Sequence, residues 1–315
     1  MVLDQQPPAH DQLEFFVQQA AKTDTVRTAV IHPVDRNSLL GAVEAANHNI
    51  IEPILVGPES KIRAVADAEQ IDISGLTIVN AAHSHDAAEI AVAMARQCEV
   101  DILMKGGLST DEMLRTVVHK TKGVRTDRRL SHLFMLDVPN YHKPLMITDA
   151  AINIEPDLNI KRDMIQNAIF FAHALGIAQP KVAILAAVEK VKSTMQSTID
   201  AAALCKMSDR GQITGGIIDG PLAFDNAISL EAAHDKHIIS PVAGDADILL
   251  APNLEAANMI AKQLIYLANA KSAGLVLGAR VPIVLTSRAE KPLGRLASCA
   301  LAALQVQHHT FKGIQ

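Results

Sequence analysis

Short apolar runs alternate with helical segments along almost all of this 315-residue chain, and this alternation restricts the fold more than any other feature. In the first 105 residues, aliphatic and β-branched runs predict strands at 28–32, 50–56, 76–79 and 102–104. Apolar residues at helical spacing predict helices at 8–21, 39–47, 59–69 and 86–97. Strict alternation of β and α elements favours a largely parallel sheet with helices on both faces.

The alternation changes near residue 122. A polar and basic stretch at 122–129 predicts a connection, and two strands follow at 133–138 and 145–147. The loop between these strands is short enough for an antiparallel hairpin. Alternation then resumes and continues to a last predicted helix at 290–307. We therefore predict an α/β fold with a domain boundary near residue 130.

The segment 101–115 has the most informative strand end. Lys105 ends the predicted strand, and the glycine pair that begins at Gly106 allows backbone angles closed to other residues. Ser109 or Thr110 can then cap a helix that carries Arg115. Ligands bind such sheets at the carboxyl ends of the strands, so we predict a phosphate or carboxylate site here. The alternative is a strand–glycine–helix turn without a ligand, since neither G-x-x-x-x-G-K-[ST] nor G-x-G-x-x-G occurs.

Two other predicted strands also end in polar side chains. Ser287 and Arg288 follow the strand 283–285, where a hydroxyl group and a guanidinium fork suit a phosphate group. The alternative is a helix that Ser287 caps, and both can be true. Thr148, Asp149 and Asn153 follow the strand 145–147, and they could orient a ligand or form a buried turn.

The remaining acidic and histidine residues do not predict a metal site. Asp245 and Asp247 precede a strand at 248–251, and turn formation explains them better than Mg²⁺ binding. The 13 histidines include no H-E-x-x-H pattern. Asp219 precedes a glycine–proline pair that predicts a sharp turn after the strand 215–219.

Composition and charge argue against several classes of protein. A formal net charge of −5 and the lack of tryptophan argue against a nucleic-acid partner. Three widely spaced cysteines without a C-x-x-C pair do not predict a disulfide framework and fit a reducing compartment. The sequence shows no run of 18 apolar residues and no signal-peptide pattern, so we predict a cytoplasmic protein with no membrane partner.

Several motifs, in their order along the chain, resemble those of the phosphate acetyltransferase and phosphate butyryltransferase family. They lie at 103–106, 110–115, 148–154, 188–191, 219–225, 246–258 and 282–288. Each motif is short, but their order and spacing are specific, and together they span nearly the whole chain. The resemblance implies two α/β domains of the isocitrate/isopropylmalate dehydrogenase type with an interdomain cleft. The domains it implies are 1–130 with 288–315, and 131–287.

That family transfers an acyl group between coenzyme A (CoA) and inorganic phosphate, so the resemblance implies an acyltransferase for acetyl-CoA or butyryl-CoA. By this resemblance Arg115 and Arg288 would hold phosphate or the CoA anions, Ser287 would donate to the developing oxyanion, and Lys105 would add positive potential. The other residues predicted to bind substrate are Gly106, Thr110, Thr148, Asp149, Asn153 and Asp219. The implied enzyme needs no metal and no cofactor beyond CoA as substrate, and it forms a homodimer or a larger homo-oligomer.

One position departs from the family pattern. The acetyl branch has an aspartate, thought to act as a general base, six residues after the arginine of its Ser-Arg pair, and here Gly294 stands there. Either Glu290, the nearest carboxylate, takes this role, or the reaction needs no base. Two alternatives stay open at this stage. One is a metal- and NAD-dependent dehydrogenase of the same fold, and the other is a non-catalytic subunit that binds CoA or phosphate.

Overall fold

The computed structural model of the protein describes residues 11–285 and 290–312. The strands are β1 Val26–Ile31, β2 Ile51–Gly57, β3 Thr77–Asn80, β4 Ile102–Lys105, β5 Ser131–Asp137, β6 Leu145–Thr148, β7 Lys181–Leu185, β8 Ile217–Leu222, β9 Ile248–Leu250, β10 Lys271–Leu277 and β11 Ile283–Val284. The helices are α1 Gln12–Ala20, α2 Arg36–Asn47, α3 Glu59–Glu69, α4 Ser84–Arg96, α5 Thr110–Val117, α6 Leu158–Ala174, α7 Gln196–Asp209, α8 Phe224–Ile228, α9 Leu230–Asp235, α10 Leu254–Leu267 and α11 Pro292–Lys312.

The chain divides into two compact units. Among the described residues, the first comprises Leu13–Arg128 with 273–285 and 290–312, and the second comprises Arg129–Ser272 with residues 11 and 12. The first unit is therefore built from two segments that are far apart in the sequence. The α/β class predicted from the alternating pattern is confirmed.

The strands of the first unit lie in the order β3-β2-β1-β4-β11-β10. All neighbouring pairs are parallel except β10 and β11. On β4, Leu103 pairs with Ala29 of β1 on one side and with Ile283 of β11 on the other. The carboxyl ends of these three parallel strands therefore meet at one edge of the sheet.

Buried aliphatic side chains hold β4 in this central place. Ile102, Leu103 and Met104 are each no more than 1% exposed. Full burial of such a side chain contributes roughly 1.5–3 kcal/mol to folding. A strand buried on both faces reads as a continuous apolar run, which is why the sequence pattern located β4 correctly.

The strands of the second unit lie in the order β5-β6-β9-β7-β8. β5 and β6 are antiparallel, with Leu133 opposite Thr148, so the predicted hairpin is confirmed. The other neighbouring pairs are parallel. Apolar side chains from β6, β7 and β9, including Ile147, Ala183 and Leu249, form the buried core of this unit.

Two local predictions in the second unit are wrong. The glycine–proline pair at Gly220 lies inside β8 and not in a turn after it. A Cβ atom at Gly220 would lie 2.7 Å from the carbonyl oxygen of Ile184, so close packing against β7 requires this glycine. The sequence also predicts a single helix over 225–234, but the chain breaks at Ser229, whose side chain caps α9.

No helix among the described residues is long and apolar enough to cross a membrane.

Candidate functional site

The glycine pair after β4 is held against the end of β1. The N–H of Gly106 donates to the carbonyl oxygen of Ile31 at 2.9 Å, and the N–H of Gly107 donates to that of His32 at 2.8 Å. A Cβ atom at Gly106 would collide with the Ile31 carbonyl oxygen and lie 2.8 Å from that of His32. Neither glycine has a positive φ.

The reason predicted for these glycines is therefore wrong. They are required because two backbones approach closely, and not because the turn needs unusual angles. Their N–H groups are already hydrogen-bonded, so an anion at this edge must be held by side chains or by the start of the following helix.

The start of α5 is fixed by two side-chain hydrogen bonds. The hydroxyl oxygen of Ser109 accepts from the backbone N–H of Glu112 at 3.1 Å, so Ser109 is the cap and Thr110 is the first helical residue. The hydroxyl of Ser84, at the start of α4, donates to the carboxylate of Glu112 at 2.6 Å. These bonds tie the first turns of α4 and α5 together.

Two cations lie along this segment. The Lys105 ammonium group donates to the carbonyl oxygen of Gly106 at 3.3 Å. Arg115 is exposed, and its guanidinium makes no hydrogen bond or ion pair within the described part of the chain. It lines a groove of about 570 Å³ beside α4. An exposed arginine without a counter-charge can hold phosphate with paired hydrogen bonds.

The turn after β6 is organised around a buried carboxylate. Asp149 is 1% exposed and accepts hydrogen bonds from the backbone N–H groups of Ala151, Ile152 and Asn153 at 2.9–3.2 Å. It also accepts from the Asn153 side-chain amide at 2.6 Å. Thr148 is fully buried, and its hydroxyl donates to the carbonyl oxygen of His132 at 2.9 Å. These contacts are those of a buried turn, which was one of the two alternatives for this motif.

Asn153 also positions a cation that the sequence reasoning did not select. Its amide donates to the carbonyl oxygen of Leu130 at 2.8 Å, and its side-chain oxygen accepts from Nε of the exposed Arg129 at 3.2 Å. The backbone N–H of Arg129 donates to the carboxylate of Asp163 at 3.0 Å. The available signal was the basic run at 125–129, which reads as a loop when taken alone.

A buried histidine lies beside the same turn. His132 is 1% exposed, and its Nδ1 atom has no hydrogen-bond partner among the residues described. Burial lowers the pKa of His132 to about 4, against an opposing effect of the Asp149 charge. The imidazole is therefore neutral at pH 7.

Asp219 lies apart from the Thr148–Asn153 turn. It pairs with Ala183 in the middle of β8, and the strands β9 and β7 separate β8 from β6. Its carboxylate accepts from the N–H of Gly220 at 2.9 Å. The thiol of Cys205 lies near this point, and burial together with the charge of Asp219 raises the pKa of Cys205 to about 11.

Asp245 and Asp247 form ion pairs at the start of β9. The ammonium group of Lys143 lies 2.9 Å from both carboxylates, and that of Lys181 lies 2.6 Å from Asp245. These partners agree with a structural role for the pair. Within the described ranges, no three His, Cys, Asp or Glu side chains are grouped so that they could hold a metal ion.

Ser287 and Arg288 lie outside the described residues. The parallel pairing of Val284 with Met104 means that the chain leaves β11 at the edge where β4 ends. Glu290 is half-buried, and its carbonyl oxygen accepts from the guanidinium of Arg295 in the first turns of α11.

Apart from Ser287, Arg288 and Glu290, the predicted residues thus fall into three groups. Lys105, Gly106, Thr110 and Arg115 lie together on the β4–α5 segment of the first unit. Another group is the buried turn Thr148–Asn153, and Asp219 stands by itself in β8. The first group alone presents exposed positive charge at a carboxyl edge of parallel strands, the chemistry expected of a protein that binds anionic substrates.

Comparison with known proteins agrees with this chemistry. Residues 82–303 match the family described as phosphate acetyl/butaryl transferase. The chain is 56% identical over 299 residues to a phosphate acetyltransferase of Rhizobium meliloti, covering 95% of this chain and 94% of the relative. It is 45% identical over 280 residues to a phosphate butyryltransferase of Clostridium beijerinckii, covering 89% of this chain and 93% of the relative.

A solved structure extends the likeness to the fold. The branched-chain phosphotransacylase of Enterococcus faecalis V583 has 28% sequence identity and a TM-score of 0.77, over 90% of this chain and 99% of that one. The protein is thus an α/β acyltransferase. The chain belongs to the phosphate acetyl/butaryl transferase family, and the family predicted from its motifs is confirmed.

Proposed function

We propose that the protein transfers an acetyl group between CoA and inorganic phosphate, giving acetyl phosphate and free CoA. The observation that carries this proposal is the family match together with the exposed guanidinium of Arg115, which has no partner among the described residues. The 56% identity to a protein named phosphate acetyltransferase, against 45% to one named phosphate butyryltransferase, supports acetyl over butyryl.

In the proposed reaction, a phosphate oxygen attacks the thioester carbonyl carbon. The new C–O bond forms, the C–S bond breaks, and the proton of hydrogen phosphate passes to the CoA thiolate. Phosphate must be held and partly desolvated beside the carbonyl group, so most of the catalysis comes from positioning and charge. Arg115 would hold phosphate or the CoA anions, and Lys105 would add positive potential at the same edge.

Further roles are proposed for the segment that follows β11. Ser287 would donate to the oxyanion that develops on the thioester oxygen, and Arg288 would bind phosphate. Glu290 is the candidate general base, because Gly294 stands where the acetyl branch has its aspartate. If Glu290 accepts the phosphate proton, Glu290→Gln should lower kcat and change its pH dependence, and an unchanged profile would mean that no base is needed.

The second unit has a supporting part in this proposal. Thr148, Asp149 and Asn153 would act through the turn that they build, which directs Arg129 outwards. Asp219 would contribute to the substrate site from β8. We further propose two domains of the isocitrate/isopropylmalate dehydrogenase type with the substrates in a cleft between them, in a cytoplasmic homodimer or larger homo-oligomer.

Release of free thiol tests the function directly. Acetyl-CoA, propionyl-CoA and butyryl-CoA are each mixed with the enzyme, with and without phosphate, and free CoA is followed. We expect release only with phosphate, with the highest kcat/KM for acetyl-CoA. Ser287→Ala should lower kcat by about 10²–10³-fold, the usual cost of losing one oxyanion donor. Release without phosphate would indicate a thioesterase, and no release with any acyl-CoA would overturn the proposal.

A further inference from the structure

The start of α11 carries an arginine that is buried inside the first unit. Arg295 is 4% exposed and packs against Gly41 of α2, which also lies beside Met104 of β4. A Cβ atom added at Gly41 would lie 3.3 Å from Cδ and 3.4 Å from Nε of Arg295, and 3.6 Å from Cε of Met104. The glycine in α2 therefore leaves the space that the arginine side chain fills.

The guanidinium of Arg295 has one hydrogen-bond acceptor among the described residues. Its Nη1 atom donates to the carbonyl oxygen of Glu290, whereas its buried Nε atom has no partner there. It forms no ion pair with an acidic residue in the ranges 11–285 and 290–312. A buried charge costs more free energy than an apolar side chain of similar size unless it is paired and hydrogen-bonded. Packing alone therefore does not account for an arginine at this position.

The acceptor of this bond lies at the end of the connection between β11 and α11. The other end of the connection is fixed by the pairing of Val284 with Met104 of β4. Only four residues, 286–289, lie between Leu285 and Glu290. Because so short a piece of chain has a limited reach, the position of Glu290 restricts the conformations open to it.

The helix that carries Arg295 is itself tied to the sheet. Ser298 is fully buried, and its hydroxyl donates to the carbonyl oxygen of Gly294 at 2.7 Å. The same hydroxyl oxygen accepts from the backbone N–H of Gly274 in β10 at 3.0 Å. The arginine therefore extends from an anchored helix turn, and its bond relates the position of Glu290 to the sheet.

We infer that Arg295 is a positioning residue for acyl transfer and acts by holding the carbonyl group of Glu290. This inference rests on the proposed function, in which Ser287, Arg288 and Glu290 act on the substrates. Catalysis by positioning is lost when a group moves by about 1 Å, so an anchor at Glu290 has a direct effect on the rate. The charge matters because a charged donor holds a carbonyl oxygen more strongly than a neutral one does.

The first test compares Arg295→Met with the conservative variant Arg295→Lys in the full-length enzyme. Arg295→Met removes the donor, so kcat for phosphate-dependent release of CoA from acetyl-CoA should fall by about 10–100-fold, with an unchanged KM for acetyl-CoA. Arg295→Lys keeps a charged donor and should recover most of the loss. The melting temperature of Arg295→Met should not fall, since an apolar replacement of a buried charge is often neutral or stabilising. Equal kcat in the three proteins would overturn the inference.

A second variant displaces Arg295 without replacing it. In Gly41→Ala the added methyl group meets Cδ and Nε of Arg295, and alanine is the better helix former, so kcat should fall by about threefold at an undiminished melting temperature. In the Arg295→Met background, Gly41→Ala should have no further effect on kcat. Gly75→Ala is the control, since a Cβ atom there has nothing within 4 Å. Independent, additive effects of Gly41→Ala and Arg295→Met would overturn the inference.

Hydrogen exchange followed by mass spectrometry separates this inference from the proposed function, because it needs no turnover. Peptides that cover residues 286–296 should exchange faster in Arg295→Met than in the wild-type protein, and peptides from α4 should not change. Unchanged exchange over 286–296 would overturn the inference even in an active enzyme. If the wild-type protein releases no CoA, the proposed function fails, and faster exchange would still show that Arg295 holds Glu290.

Discussion

The turn after β4 and the turn after β6 look alike in the sequence, since each follows a short apolar strand with polar residues, yet their polar side chains have opposite environments. In the first, Arg115 is exposed with no partner among the described residues, and the Lys105 ammonium group donates to the carbonyl oxygen of Gly106 at 3.3 Å. In the second, the polar atoms of Asp149 and Asn153 are hydrogen-bonded inside the protein. Burial, and not residue type, separates the exposed arginine after β4 from the structural turn after β6.

Removal of the buried Asp149 carboxylate should give the largest difference in stability between the two turns. Asp149→Ala should lower the free energy of unfolding by about 3–5 kcal/mol, because four donors lose their acceptor inside the protein. Denaturant unfolding at pH 7 measures this change. The matched variant on the other turn is Arg115→Ala, which should change stability by less than about 0.5 kcal/mol. Equal destabilisation by the two variants would contradict the distinction.

Acid should weaken the second turn through His132. In the folded protein the pKa of His132 is about 4, below the ordinary value of 6.5, so the proton binds the unfolded chain preferentially. The stability that this group contributes is present above pH 6.5 and is lost as the pH falls towards 4. The free energy of unfolding should fall by about 3 kcal/mol over this range.

Unfolding measured across this pH range, in the wild-type protein and in His132→Phe, isolates the effect. The free energy of unfolding should fall less steeply with decreasing pH in His132→Phe, because the variant lacks the imidazole that takes up the proton. Parallel curves for the two proteins would show that His132 does not titrate in this window.

The first turn depends on close backbone packing at Gly106. Gly106→Ala should cost about 1–3 kcal/mol, because the added methyl group meets carbonyl oxygens of β1 and the residue after it. Gly75→Ala is the control, since a Cβ atom there has nothing within 4 Å. The two thermal midpoints should differ clearly, and similar midpoints would mean that the turn can relax.

Removal of the exposed Arg115 charge should have the smallest effect, and this effect should be on activity and not on stability. Arg115→Met should lower kcat/KM for acyl transfer by about tenfold, as expected for one partly exposed charge-assisted contact, and leave the melting temperature unchanged. Arg27→Met is a suitable control, because Arg27 is an exposed arginine already paired with Asp101. If Arg115→Met lowered the melting temperature but not kcat/KM, Arg115 would have a structural role and the distinction between the two turns would be wrong.

Local elements and the class of fold were largely predictable, whereas the order of strands was not. The apolar run 102–104 predicted β4, and the glycines with Ser109 predicted the turn and the helix start. The placement of β11 beside β4 was not predictable, since Leu103 and Ile283 are distant in sequence and no local pattern specifies their pairing.

The candidate site was predictable in its residue types but not in their environments. A pattern of Asp149 followed by Asn153 is compatible with both a ligand and a buried turn, and only the hydrogen bonds separate the two. Arg129 went unselected because its neighbours in sequence are also basic, and the contact that distinguishes it comes from Asn153, across the fold.

The two-segment construction of the first unit has a consequence for the order in which the newly made chain can fold. β4 gains its neighbour β11 only after residue 284 has left the ribosome, since Met104 pairs with Val284. The inner segment 129–272 has all its strands by then, so it can fold first, although chains usually fold from their N-terminal end. The edge of β4 that later pairs with β11 must therefore remain unpaired with it through the synthesis of more than 150 residues. A chaperone that shields strand edges during this interval would act on the N-terminal third of the chain.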